Sequence, residues 1–219
     1  MKTIFNKFVI VAIAIGAFTI FQSCSVTAIR GNGNLVTSEK PVSTFEKISS
    51  IGTAEVRYHV SEGYRVVVTA DENLDEYVEI STKNNELNIG TQKNTNCSFT
   101  KFLVDVYCPV ITSVSITGTG NFEGAIECDN FSAHITGTGS ITVTGNSKDA
   151  NINITGTGSF NGNEFYVKNA TARITGTGNA YISVEDNLNA TVTGIGSINY
   201  RGEPKVKSKV TGLGKVNKR

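Results

Sequence analysis

The chain has 219 residues, 39% of them apolar and 18% charged, with 22 Gly, no Trp, and 20 basic against 19 acidic side chains. A formal net charge of +1 supplies no global field for nucleic acid. The length suits one domain with a continuous core, and nothing between Arg30 and Arg219 reads as a long low-complexity linker.

Lys2 and Lys7 precede an uncharged run from Phe8 to Phe21, followed by Gln22-Ser23-Cys24. A helix crossing a bilayer's hydrocarbon needs roughly 20 apolar residues, so this shorter run reads as an export signal rather than a permanent span. Cys24, straight after a small residue, looks like a bacterial lipoprotein processing site, although Phe21 stands where Leu is usual. The expectation is a signal peptide over 1–23, an acylated Cys24 that anchors the chain in a membrane, and a lipidated tether over 24–44. An ordinary cleaved signal with Cys24 discarded is the alternative. Loss of Lys2 and Lys7 leaves 18 basic against 19 acidic residues.

From Phe45 onward the chain reads as strands. Ala54, Val56, Tyr58 and Val60 alternate with polar residues, Val66 and Val68 follow Glu62-Gly63, and Leu87-Asn88-Ile89 and Leu103-Val104-Asp105-Val106-Tyr107 continue the signal. Asp71 to Tyr77 suits one short helical turn. Asp71, Glu72, Asp75, Glu76 and Glu79 lack the alternating spelling of a calcium loop and read as solvated surface. Outside Cys24 the cysteines are Cys97, Cys108 and Cys128, an odd set that permits at most one internal disulfide. Cys108 and Cys128 are separated by about one coil, so stacking at the roughly 4.8 Å of neighbouring strands would allow a bridge. Two buried thiols are equally compatible.

The second half repeats an apolar residue, Thr, Gly, any residue, Gly. The paired glycines are Gly118 and Gly120, Gly137 and Gly139, Gly156 and Gly158, Gly176 and Gly178, Gly194 and Gly196, and Gly212 and Gly214, at steps of 18 to 20 residues. Two before each first glycine stands Ile116, Ile135, Ile154, Ile174, Val192 or Val210; four after it stands Phe122, Ile141, Phe160, Ala180, Ile198 or Val216. Polar residues such as Ser115, His134, Asn153, Arg173, Thr191 and Lys209 intervene, the alternation of a strand with one buried face. At about 3.3 Å per extended residue a coil has roughly 60 Å of path, enough for a three-sided turn and too little for a strand with a crossover helix.

The expected fold is therefore all-β: a parallel β-helix of short strands with 18–20 residues per coil and an irregular, β-rich N-terminal cap, in one domain over 45–219. Its hand is open, with right-handed the expected sense. The glycines suit corners between sheets. Ile51-Gly52-Thr53-Ala54-Glu55-Val56 overlays Thr117 to Phe122 as a degenerate copy, with Gly52 under Gly118. Thr before each first glycine should build a ladder that sets register through methyl packing and shared hydroxyl contacts. At the C-terminus Arg201, Lys205, Lys207, Lys209, Lys215, Lys218 and Arg219 face only Glu203, which suits a charged terminal coil that resists further stacking, or a site for acidic glycans or lipid phosphate.

No catalytic, cofactor or metal site is expected. Glu123's column continues as Thr142, Asn161 and Tyr181, so the stacked acids of a polysaccharide-cleaving β-helix are missing. His59 and His134 occupy polar slots without a ligand or carboxylate at a recognised spacing, and the glycine copies lack a phosphate-loop spelling. The regular candidate surface is Thr117 and Thr119, Thr136 and Thr138, Thr155 and Thr157, and Thr175 and Thr177. Stacked pairs of this kind suggest ice-binding arrays, if the intervening glycines stay extended.

These copies, with Ile198 to Pro204, the closing Val210-Thr211-Gly212-Leu213-Gly214, the Phe45 to Val60 opening and the Tyr107-Cys108-Pro109 step, resemble the auto-transporter adhesin head GIN domain family. The resemblance covers about Phe45 to Val216. It implies a β-helical domain of exported bacterial proteins, frequently lipoproteins, and carries no catalytic residues. Ile195 and Leu213 depart from the mid-repeat Thr. The functional expectation is a non-catalytic envelope lipoprotein with an adhesin-like or structural role, anchored in the outer membrane, facing the periplasm or the surface, and contacting a glycan or an envelope or matrix protein. A polysaccharide lyase or hydrolase is the alternative, and an ice-binding array a lesser one.

Overall fold

The computed structural model describes residues 28–219. In chain order the strands are β1 (Ile29–Arg30), β2 (Leu35–Lys40), β3 (Lys47–Gly52), β4 (Glu55–Val60), β5 (Arg65–Asp71), β6 (Val78–Lys83), β7 (Glu86–Thr91), β8 (Cys97–Ser98) and β9 (Phe102–Cys108). There follow β10 (Ser113–Gly118), β11 (Asn121–Gly137), β12 (Ser140–Gly156), β13 (Ser159–Gly176), β14 (Asn179–Gly194), β15 (Ser197–Arg201), β16 (Lys205–Gly212) and β17 (Lys215–Lys218). One 3-10 helix, Glu72–Tyr77, lies where a single helical turn is expected.

From β10 onward the strands stack in parallel and in register as a β-solenoid of about 6 turns. Ile116 pairs with Ile135, Ile135 with Ile154, Ile154 with Ile174, and Ile174 with Val192. These five side chains are at most 1% exposed, as are Phe122, Ile141, Phe160, Ala180 and Ile198 in the second column. Burying a branched aliphatic side chain stabilises by roughly 1.5–3 kcal/mol, so the two columns form the main cohesive element. The last coil has no neighbour beyond it, and its Val210 is 43% exposed.

The expectation of short strands is corrected. β11, β12, β13 and β14 run for 17, 17, 18 and 16 residues, each from one glycine corner to the next. Other changes of direction are taken within the strand, at Gly145 with φ 99° and at register shifts such as that between Thr142 and Thr144. Along β11 to β14 the strands break at the Gly-x-Gly corners; in the last coil a second break falls between β15 and β16, at Gly202. At the Gly-x-Gly corners the first glycines have φ between 111° (Gly52) and 123° (Gly176, Gly194), a region closed to most side chains.

The carbonyl of each first glycine from Gly52 to Gly194 accepts two N–H groups from the coil above: Gly137 O takes Thr157 N at 2.9 Å and Gly158 N at 3.0 Å. The second glycine is needed for proximity, since a Cβ on Gly139 would lie 2.3 Å from Gly120 O and 2.8 Å from Ile116 Cγ2. Ala54 occupies the equivalent position in the first coil, below which no such corner lies, and a Cβ on Gly52 meets nothing.

Gly52 pairs with Gly118 and Val56 with Phe122, so β3 and β4 form the coil beneath β10 and β11. Further out, β9 joins β4 and β7 joins β3 in parallel, whereas β5 lies antiparallel on β9, β2 on β5, and β6 on β7. The helix between β5 and β6 drops Leu74, fully buried, into this end. Residues 29–40, expected in the tether, thus include paired strands, so the folded unit reaches N-terminal to Phe45. Asp71 holds that edge: its carboxylate accepts Gly33 N at 2.9 Å, Thr100 N at 2.8 Å and Thr100 Oγ1 at 2.5 Å. Burial opposes its ionisation, yet these donors together with the Lys101 backbone outweigh burial and hold its pKa below the ordinary carboxylate value.

Candidate binding surface

Thr117, Thr136, Thr155 and Thr175 stack in one exposed column, with Thr193 and Thr211 continuing it. Thr119, Thr138, Thr157 and Thr177 form a second exposed column beyond the corner, followed by Ile195 and Leu213 at 61% and 79% exposure. The glycine between the two columns has positive φ, so the chain bends and the pairs do not lie on one flat extended strand as an ice-matching array requires. The expected hydroxyl ladder is corrected too: no hydrogen bond among the described residues joins one of these threonines to another. Their hydroxyls stand towards solvent along a ridge whose register is set by backbone bonds.

Side-chain ladders between coils are formed by asparagine instead. Asn169 Nδ2 donates to Asp149 Oδ1 at 2.9 Å and Asn187 Nδ2 to Asn169 Oδ1 at 2.7 Å. Asn146 Nδ2 similarly donates to Glu127 Oε1, and Asn161 Nδ2 to Thr142 Oγ1. Towards the C-terminus the Glu123 column is Thr142, Asn161 and Tyr181 as read from the repeat; in the other direction it continues as Arg57 and Asp105, a second acid that the repeat does not record.

His59 departs from the sequence reading. Its Nε2 lies 2.9 Å from Asp105 Oδ1, and its ring stacks on Tyr107 at 4.7 Å, with Arg65 4.2 Å from the Tyr107 centroid on the adjacent strand. Pairing of β4 with β9 puts residues 46 apart on one face, a spacing that no local motif records. Among the described residues no hydroxyl or thiol is hydrogen-bonded to this pair, so it lacks the nucleophile of a triad and serves to tie the cap strands together. His134 is exposed, 3.5 Å from Asn153 Nδ2 in the outward column. No group of three His, Cys, Asp or Glu among the described residues is placed to hold a metal ion.

Cys97, Cys108 and Cys128 are all free thiols. A Cys108–Cys128 bridge fails because β4 intervenes between β9 and β11; Tyr58 on β4 donates its hydroxyl to Cys108 O at 3.3 Å. Burial pushes the Cys108 thiol up to about 12. Burial also raises Cys97 and Cys128. None of the three is activated as a nucleophile. Cys24 and the signal peptide expected over 1–23 lie outside the described residues, among which no helix is long and apolar enough to cross a membrane.

Stacked coils joined at glycine corners, with an aliphatic interior and a hydroxyl ridge, are matched by a family model over residues 44–204, described as "Putative auto-transporter adhesin, head GIN domain". The chain belongs to this family. The head GIN fold recurs in solved structures. A putative adhesin from Bacteroides fragilis has a TM-score of 0.73 at 19% identity, over 88% of this chain and 100% of its own. A putative lipid binding protein from Parabacteroides distasonis reaches 0.57 at 22% identity, over 88% of this chain and 99% of its own. A putative adhesin from Parabacteroides merdae reaches 0.55 at 26% identity, with the same two coverages. No curated protein matches the chain.

Proposed function

We propose that this head GIN protein is a non-catalytic, adhesin-like lipoprotein of the bacterial envelope, held in the outer membrane through Cys24 and binding an extended glycan or an envelope or matrix protein along its solenoid. The observation that carries the reading is the rigid repeat itself: hydroxyl and amide columns recur on successive coils about 4.8 Å apart, a spacing suited to polymers rather than to a small substrate. Family membership and the adhesin-like solved structures support it. The polysaccharide-cleaving alternative needs convergent carboxylates on one groove; the second acid in Glu123's column, Asp105, lies beyond Arg57 and is bonded to His59.

Two measurements test the proposal. Retention of a cell-surface glycan, peptidoglycan or matrix protein by the purified protein supports it, and retention of none refutes it. Release of a Cys24→Ala variant into the soluble fraction supports the anchor; continued membrane attachment of that variant refutes it.

A further inference from the structure

Among the register shifts between coils, the one on β13 after Gly162 is the largest. Gly162 of β13 pairs with Ile182 of β14, and Tyr166 pairs with Ser183, so β13 holds Asn163, Glu164 and Phe165 in excess. Phe165 turns into the core, edge-to-face on Phe131 at 5.4 Å. Tyr166 is thereby thrown outward and is 58% exposed, the single aromatic among the large exposed apolar side chains of the described residues.

Tyr166, Ser183 and Arg201 stand in one column on successive coils. Ser183 is buried, its Oγ donating to Asn163 O at 2.8 Å, so the column sinks between two large side chains about 9.6 Å apart, twice the strand spacing. The resulting slot has a cavity volume of about 580 Å³ and is flanked by Lys168, Glu185 and the Gly202 turn. That turn is pressed against its neighbour, because a Cβ on Gly202 would lie 2.0 Å from Val184 O; the far wall is therefore fixed. Glu203 on the rim is neutralised by Lys218, whereas among the described residues neither Lys168 nor Arg201 has an ion-pair partner. From the slot's Arg201 to residue 219 the chain carries seven cationic side chains against the one acidic side chain of Glu203.

We infer that this slot binds a carboxylate-bearing sugar residue of an acidic glycan, its ring face against Tyr166 and its carboxylate on Arg201. An aromatic face offers a flat apolar platform, and a guanidinium presents two parallel N–H groups to a carboxylate. The basic terminal coil extends a favourable potential along the rest of the chain of sugars. The inference rests on the adhesin-like reading and names its ligand class and place.

The experiment is calorimetric titration of the full protein with oligogalacturonate, a sialylated oligosaccharide, a neutral cello-oligosaccharide, and phosphatidylglycerol vesicles. The expected result is binding of an acidic oligosaccharide without binding of the neutral one. Tyr166→Ala and Arg201→Ala should each weaken it about ten-fold or more, with unchanged melting because both side chains are exposed. Binding to neither acidic sugar, binding that survives both substitutions, loss with Arg201→Ala while Tyr166→Ala is silent, or binding of vesicles alone would each overturn the slot. A glycan or protein retained equally by the wild type and both variants leaves the adhesin-like reading standing without this site; retention of no ligand at all removes that reading.

Discussion

Gly156→Ala places one methyl group where one coil presses on the next. Gly156 has φ 115°, and a Cβ there would sit 2.5 Å from Gly137 O and 3.2 Å from Gly137 C. The unfavourable backbone alone costs about 1–2 kcal/mol. Moving the coils apart enough to admit the methyl lengthens the bonds from Thr157 N and Gly158 N to Gly137 O, each contributing about 1 kcal/mol. The total expected loss is about 3–4 kcal/mol, a large share of the roughly 5–15 kcal/mol that stabilises a typical domain. Gly52→Ala is the internal comparison, with φ 111° and no atom near its added Cβ, so it should lose only the backbone part. Urea unfolding followed by far-ultraviolet circular dichroism gives both values. Equal losses for the two variants, or a loss below about 1 kcal/mol for Gly156→Ala, would refute the argument that coil stacking selects glycine at this corner.

Asp71→Asn keeps one acceptor oxygen and puts an NH2 donor in place of the other, so it cannot receive the donors on both oxygens, Gly33 N and Thr100 Oγ1 on one and Thr100 N on the other, and should cost about 2 kcal/mol at pH 7. Because the folded pKa of Asp71 lies below its ordinary 3.8, its contribution is present above that value and lost as pH falls through the folded pKa. The stability difference between wild type and Asp71→Asn should therefore narrow from about pH 5 to 2, read from urea midpoints across that range. Iodoacetamide at pH 8 should alkylate Cys97 and Cys128 before Cys108, whose thiolate fraction is only about 10⁻⁴, with peptide mass spectrometry as the readout. Amide exchange should be fastest in β16, all eight residues of which are exposed and which pairs only with β14, and slowest in β12 and β13 between two neighbours each.

Much of the solenoid can be read directly from the spelling. A residue type recurring every 18 to 20 positions must stack on its own copies if the chain coils, so the inward Ile116 to Val192 column, the corner glycines and the Gly52 overlay follow from spacing alone. The Thr columns are likewise legible as outward, whereas the bend between them and the absence of hydroxyl bonds along them depend on φ at the glycines and on rotamers. The bridge considered for Cys108 and Cys128 failed because spacing of one coil implies adjacency only where no other strand has entered, and β4 enters there from 48 residues earlier in the chain.

The amino-acid order by itself determined the period, the buried face and the glycine corners, since each is a local demand repeated at a constant interval. Only the tertiary structure decided the arrangement of β2, β5, β6, β7 and β9, the meeting of His59 with Asp105, and the sinking of Ser183 between Tyr166 and Arg201. These depend on strands paired once, across long and unequal separations, or on a three-residue surplus whose accommodation is settled by how Phe165 packs in the core. A repeated contact is written in the sequence as many times as it is made, but a contact made once leaves no period to read.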